Sequence, residues 1–343
     1  MQIRDFRSDT VTQPTAEMRA AMAAATVGDD TLGEDPTVDQ LEEYSAALLG
    51  KEAGLFVASG TMANQVAVQV LCRRGDEVLV GAESHIFNLE VGGLAALAQV
   101  QTRPLPTHQG YFDFADLRAA VRLPGVQAPR TGLLCLENTY NLNGGIPLPP
   151  AYFREVRLIA QEFGLPVYVD GARIFNASAA LGVSPAELAA DVDAAMFCLT
   201  KGLAAPFGAV LVGSRQFIDE ARWIKQRLGG GFRQVGHMAA AGLVALQSMR
   251  QRLLEDHASA KRLALGLAAI DDRLVDVEQT LTNIVNVDFS PVGQTASAMV
   301  NRLLEQGIKI KYIGETRCRL VTHYGLTIED VDYAVAAIRR LLS

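Results

Sequence analysis

Ala194-Ala195-Met196-Phe197-Cys198-Leu199-Thr200-Lys201-Gly202 is the stretch from which the architecture can be read. Six apolar residues in succession read as a buried strand, because a strand covered on both faces loses the alternation of a half-exposed one. The run ends in a hydroxyl, an amine and a glycine. Upstream, Pro166-Val167-Tyr168-Val169 is a second apolar run, and it ends in Asp170-Gly171-Ala172-Arg173. A lysine, an aspartate and an arginine therefore stand at the ends of predicted parallel strands, where open α/β sheets gather their ligands. Taken singly, a lysine there also reads as a solvated side chain and an aspartate as a turn cap.

Outward from this pair, strand and helix patterns alternate. Asp35-Pro36 opens a helix that closes at Gly50, with Asp as the cap and Pro in the first turn. Strands are predicted at 54–57, 77–80, near Val100, at 133–136, at the Val167 and Met196 runs and at 209–212. Helices are predicted at 61–73, 88–98, from Asp113 onward and at 149–163. The alternation predicts an α/β fold whose mostly parallel sheet is covered on both faces. Residues 235–264 read as a long helical stretch interrupted only by Gly242, linking two domains. Beyond it, strands at 284–289, 308–312 and 318–322 and helices at 295–305 and 328–342 make a small α+β unit. A spacer at 123–130 carries Pro124 and Pro129.

The chain has 343 residues, 49% hydrophobic and 20% charged, with a net charge of −7. That length suggests two domains. The acidic balance without a basic stripe argues against nucleic acid as a partner. Cys72, Cys135, Cys198 and Cys318 have neither metal-ligand nor redox spacing, so buried thiols in a reducing cytosol are expected. Met1-Gln2-Ile3-Arg4-Asp5 carries no apolar leader, and no apolar run is long enough to cross a bilayer.

Several further stretches fall at the same strand ends. Ser59-Gly60-Thr61 follows a strand and opens a helix, which suits either a phosphate on free amides or a plain turn. His85 reads as an imidazole stacked on a cofactor or acting as a base beside it, or as an ordinary loop histidine. Glu137-Asn138-Thr139-Tyr140-Asn141 follows another strand. Arg233, after the glycines at 229–231, can reach a phosphate, including one of a partner subunit, or stand in solvent. Arg317 and Arg319 share one face of a strand, which suits either a substrate carboxylate or a protective row of cations on a sheet edge. A strand-end lysine can form a Schiff base, and an aspartate can hold a pyridinium nitrogen protonated. With a phosphate site upstream, the set points to pyridoxal 5'-phosphate (PLP).

Arg7-Ser8-Asp9-Thr10-Val11-Thr12, Gly33-Glu34-Asp35-Pro36-Thr37, Leu136-Glu137-Asn138-Thr139, Asp170-Gly171-Ala172-Arg173-Ile174-Phe175-Asn176, Thr200-Lys201-Gly202-Leu203 and Arg319-Leu320-Val321-Thr322-His323 together resemble the low-specificity L-threonine aldolases, in the same order over nearly the whole chain. The resemblance implies the PLP-dependent transferase fold of type I, that of aspartate aminotransferase. It implies an N-terminal segment (1–45) associated with the active site and the small domain, a large PLP-binding domain (46–245) and a small α+β domain (246–343). It implies that Lys201 carries PLP, that Asp170 pairs with the ring nitrogen and that Arg173 lies near the phenolic oxygen. Gly60, Thr61 and Thr200 would hold the phosphate, with Arg233 supplied across a dimer interface. His85 would stack on the ring, and Ser8 and Arg319, with Arg173 beside them, would bind the substrate carboxylate. The implied reaction is retro-aldol cleavage of threonine, allo-threonine or a related β-hydroxy-α-amino acid to glycine and an aldehyde. The implied assembly is a homotetramer of catalytic dimers, and the cysteine usage sets it in the cytoplasm.

Two positions depart from the family. Tyr140 stands where many relatives have histidine, a candidate contact for the β-hydroxyl, and Leu32 stands near a commonly aromatic position. Both changes fall where the β-substituent is expected. The competing readings are a β-eliminating lyase or an aminotransferase on the same fold, and a scaffold without catalysis.

Overall fold

The computed structural model describes residues 3–123 and 125–342. Met1 and Gln2 of the leader reading, Pro124 of the spacer and Ser343 lie outside the described residues. The strands are β1 (Arg4–Asp5), β2 (Ala53–Val57), β3 (Glu77–Gly81), β4 (Gln101–Leu105), β5 (Thr131–Glu137), β6 (Val167–Asp170), β7 (Ala194–Cys198), β8 (Ala209–Gly213), β9 (Ile284–Asp288), β10 (Ile308–Lys309), β11 (Lys311–Tyr312) and β12 (Arg317–Val321). Seven of them form one sheet in the order β2-β8-β7-β6-β5-β3-β4. Only β8 runs against the others, pairing antiparallel with β2 and with β7. The carboxyl ends of β2, β3, β5, β6 and β7 therefore share one edge.

Side chains alternate across this sheet, as the two-residue period requires. Val167 and Val169 pack into one layer with Leu79, Leu134 and Phe197. Tyr168 points to the other, with Val78, Val80, Met196 and Cys198. The helix Gly60–Leu71 covers the second layer, along with Arg215–Arg227 through Phe217, Ile218 and Ala221. Pro36–Leu48, Pro150–Glu162, Ile174–Leu181 and Gly236–Val244 cover the first. Each fully buried Leu, Val or Phe contributes roughly 1.5–3 kcal/mol, so this double cover fixes the sheet edge that carries the site.

A third core gathers Leu263, Leu267, Val285, Met299, Leu320 and Ile338 in the small unit, and Phe6 enters it from the N-terminus. β1 pairs in parallel with β10, while β12 lies between β11 and β9. The N-terminal segment is thus sewn into the small unit before it runs toward the sheet edge.

Four expectations change. The helix expected at 88–98 is a short helix, His85–Asn88, and a separate π-helical turn, Leu94–Ala98. Between them Glu90 is buried, and Val91 and Gly92 take positive φ. The stretch 235–264 breaks after its π-helical turn at Ala245–Met249 and resumes as Leu253–Ala268. At the break Arg250 Nε turns back onto the Leu246 carbonyl at 2.5 Å. The strand expected at 308–312 divides between two sheets, β10 and β11. Arg319 lies on the central strand of its sheet and is buried, which removes the edge-row reading for it. Helices Ile174–Leu181, Pro185–Ala189 and Arg215–Arg227 join the helices read from sequence.

Candidate active site

The sequence-predicted residues converge on the carboxyl edge of the sheet. Lys201 follows β7, Asp170 ends β6, Glu137 ends β5, His85 lies beyond β3, and Gly60 and Thr61 follow β2. Among the described residues the Lys201 amine has neither a hydrogen bond nor an ion pair, while its charge acts on Asp9 and His85. Its loop is held by a backbone bond from Ala204 to the Lys201 carbonyl at 2.8 Å, with Ala204 in the left-handed region. That conformation costs a non-glycine residue about 1–2 kcal/mol and marks a constrained turn.

Asp170 is buried and fully engaged. Its Oδ2 accepts the Asn64 amide at 2.8 Å and its Oδ1 accepts the Ala172 N–H at 3.1 Å. The same Asn64 nitrogen donates to Glu90 Oε1 at 2.7 Å, and Asn64 Oδ1 accepts the Tyr168 hydroxyl at 2.8 Å. Glu90 also accepts Gln65 Nε2 at 2.9 Å and faces His85 Nδ1 at 3.0 Å. Glu137 takes the His85 N–H at 2.5 Å and the Asn141 N–H at 2.8 Å. Burial, reinforced by the Asp170 charge, pushes the Glu137 carboxyl up to about 7. His85, Glu90 and Asp170 each bring a potential ligand atom within 4.8 Å of the others. Asn64 Nδ2, a donor, nevertheless occupies both carboxylates, so this is the donor pattern of a hydrogen-bonded network.

The helix Gly60–Leu71 is capped by Ser59, whose Oγ accepts the Met62 N–H at 3.1 Å. The Gly60 and Thr61 amides stand in its first turn, where intrahelical acceptors are lacking. A side chain at Gly60 would come 2.8 Å from Cys198 Sγ and Met196 Cε. Glycine here lets the helix start close against β7, beside the lysine loop.

A second cluster faces the small unit. Arg173 grips Asp9 in a two-pronged pair, Nε to Oδ2 and Nη2 to Oδ1, both 2.7 Å. Burial alone would raise the Asp9 carboxyl, but Arg173 holds it well below the usual carboxylate range. Asn141 Oδ1 accepts from Arg173 at 3.0 Å and from Arg319 at 2.9 Å. Asn283 Nδ2 reaches Asp9 at 3.2 Å. Arg319 is 5% exposed, its Nε has no partner among the described residues, and burial with the Arg173 charge lowers it to about 10. Ser8 adjoins this cluster and caps the turn Asp9–Val11. Arg317 is exposed and lines a separate polar cavity with Thr107 and Asn286.

Two predicted residues stand apart. The Tyr140 hydroxyl accepts from Thr107 at 3.3 Å, and burial raises it to about 12. It can hold a hydrogen bond at neutral pH but is a poor base. Arg233 is largely exposed and reaches Asp29 at 3.3 Å. Asn64 and Glu90 escaped the sequence reading. The available signal was an amide inside an apolar helix and an acid followed by Val-Gly-Gly, which ends a helix.

A family model described as β-eliminating lyase matches residues 5–290. The chain is 43% identical over 342 residues to a probable low-specificity L-threonine aldolase 2 of Arabidopsis thaliana, covering 98% of this chain and 96% of that one. It is 40% identical to the low specificity L-threonine aldolase of Escherichia coli over 99% of both. The threonine aldolase of Leishmania major superposes with a TM-score of 0.85 at 18% identity, covering 99% of each chain. The architecture is that of the fold-type I PLP enzymes, and the chain belongs to the β-eliminating lyase family and, within it, to the low-specificity L-threonine aldolases.

Proposed function

We propose that this chain is a PLP-dependent aldehyde-lyase that cleaves L-threonine, L-allo-threonine or related β-hydroxy-α-amino acids to glycine and an aldehyde. The observation that carries this reading is the unpaired Lys201 amine at the end of β7, beside the buried Asp170 that ends β6. When bound, PLP supplies an aldehyde that condenses with an amine and a protonated ring that accepts the electron pair released as Cα–Cβ breaks.

The residues present suit that group. The Lys201 amine would be the residue that holds it. Asp170, kept in position by Asn64 and Ala172, would pair with the ring nitrogen and keep it protonated. Gly60, Thr61 and Thr200 receive the phosphate, and Arg233 serves the phosphate of a neighbouring subunit in a dimer of dimers. His85 would lie against the ring. Arg319, with its free Nε, binds the substrate carboxylate with Ser8 and Arg173 in support. Tyr140, which bonds Thr107 rather than the lysine cluster, and Leu32 are the two departures through which side-chain preference would differ from the family's. The β-hydroxyl proton leaves as the aldehyde forms, and Cα takes up a proton to give glycine. In the proposed division into 1–45, 46–245 and 246–343, each part would contribute to the cleft: Ser8 and Asp9 from the first, Lys201, Asp170 and Arg173 from the second, and Arg319 from the third. Four free cysteines, three of them buried, suit a reducing cytosol; no helix among the described residues is long and apolar enough to cross a membrane.

Borohydride reduction of the holoenzyme followed by peptide mapping is the test. Label at Lys201 and acetaldehyde with glycine from threonine are expected, and Lys201→Ala should lose both together with the visible absorbance band. An unlabelled Lys201 defeats the reading. The family description favours β-elimination as the second reading; ammonia release from serine faster than aldehyde release from threonine would select it.

A further inference from the structure

The Glu90 carboxylate is fully enclosed and takes three donors at once, from Asn64, Gln65 and the His85 ring. An ionised carboxylate only accepts, so the His85 nitrogen facing it, Nδ1, carries the hydrogen. Nε2 is left without a protein partner among the described residues. We propose that Glu90 is a positioning residue for His85, fixing the ring with Nδ1–H on the carboxylate and Nε2 toward the cleft, and tying it to Asp170 through the single Asn64 amide.

The local chain is bent to achieve this. Val91 is 98% exposed, yet it sits in the left-handed region at φ 54°. For a β-branched residue that is a true outlier, and no buried contact of its own side chain repays it. The bend instead turns the preceding Glu90 inward. Gly93 completes the turn, because a side chain there would fall 2.7 Å from the Gln65 amide nitrogen that donates to Glu90. Tyr168 fixes Asn64 so that its amide, rather than its oxygen, lies between the two carboxylates.

The charged groups around His85 are Glu90 on its own loop, Asp170 on β6, Glu137 on β5 and Lys201 after β7; the facing helix contributes only the neutral Asn64 and Gln65. Burial lowers the imidazole and Lys201 lowers it further, but Glu90 and the other acids outweigh them and raise it. Glu90 is the only acid of the set in direct contact with the ring.

The proposal rests on the aldolase reading only for the identity of the molecule that Nε2 faces. The test is ring-¹⁵N NMR of full-length holoenzyme, with the His85 signals assigned by their loss in His85→Asn. The wild type should show Nδ1 protonated at every pH and Nε2 titrating above about 6.5, the value of a free imidazole. In Glu90→Gln the midpoint should fall by about one pH unit and the tautomer preference should weaken. In the same variant kcat for threonine should drop on the order of 10- to 100-fold, as for loss of other positioning partners, with KM nearly constant. If Glu90→Gln does not fold, Glu90→Asp decides, since it keeps the charge but withdraws it from Nδ1 and should still lower the midpoint. A midpoint and tautomer unchanged in whichever variant folds overturn the proposal. Failure of the wild type to label at Lys201 would overturn the aldolase reading instead and leave the NMR result standing.

Discussion

The two buried polar clusters that flank Lys201 are built on opposite plans. On the sheet side, Asp170, Glu90, Glu137 and His85 form an acid-rich network in which each carboxylate oxygen has a donor. On the side of the small unit, Arg173, Asp9 and Arg319 carry a net positive charge, and one guanidinium nitrogen, Arg319 Nε, has no acceptor. A satisfied network fixes geometry, whereas an unsatisfied buried donor costs free energy until a ligand fills it. The acid cluster is thus preorganised, its carboxylates already held in fixed positions by their donors. The arginine cluster keeps one buried donor, Arg319 Nε, unsatisfied among the described residues, which is the feature that the carboxylate-binding role proposed for it uses.

Breaking the structural half of the cationic cluster should have the largest effect. Asp9→Ala leaves Arg173 buried without its counter-ion and should cost about 3–5 kcal/mol of stability by urea denaturation; a loss below about 1 kcal/mol would mean that the pair is not structural. The ligand-seeking half should behave differently. Arg319→Met should raise KM for threonine on the order of 10- to 100-fold, because a charged hydrogen bond is worth about 1.5–3 kcal/mol. Its stability should stay constant or rise, since a poorly satisfied buried cation is removed. Lower stability with unchanged KM would erase the distinction between the two halves.

The acid cluster is sharpened by pH. The Glu137 carboxyl is raised in the folded state, to about 7 from 4.5. The folded protein therefore holds a proton that the unfolded chain has released. The stability this group supplies is complete below about 4.5 and lost as pH rises through about 7. Glu137→Gln removes that slope and turns an N–H toward one of two N–H donors, at a cost of about 1–3 kcal/mol. The deficit of the variant against wild type should be greatest near pH 4.5 and shrink toward pH 8 in denaturation curves taken across the range. A deficit independent of pH would show that Glu137 does not titrate in this window.

What was readable in advance follows the range of the interaction. The cap and first-turn proline at Asp35-Pro36, the buried runs of β5, β6 and β7, and the strand-end positions of Asp170 and Lys201 are local signals, and the structure places them as the patterns predict. Glu90 was legible only as an acid in an expected helix, because its partners Asn64 and Gln65 lie on a different element. The break at 250–252 was hidden for a related reason: helical composition continues through it.

Local residue pattern was enough to specify a layered α/β chain with an amine and a carboxylate at adjacent strand ends, since periodicity and strand-terminal residue types act over a few residues. Packing of distant elements, by contrast, brings Asn141 between Arg173 and Arg319, residues 32 and 178 positions away from it, and lets Asn64 span Glu90 and Asp170, 26 and 106 away. Hydrogen bonds of this kind depend on where packed elements come to rest, to within an ångström. No local pattern of residue types encodes that distance.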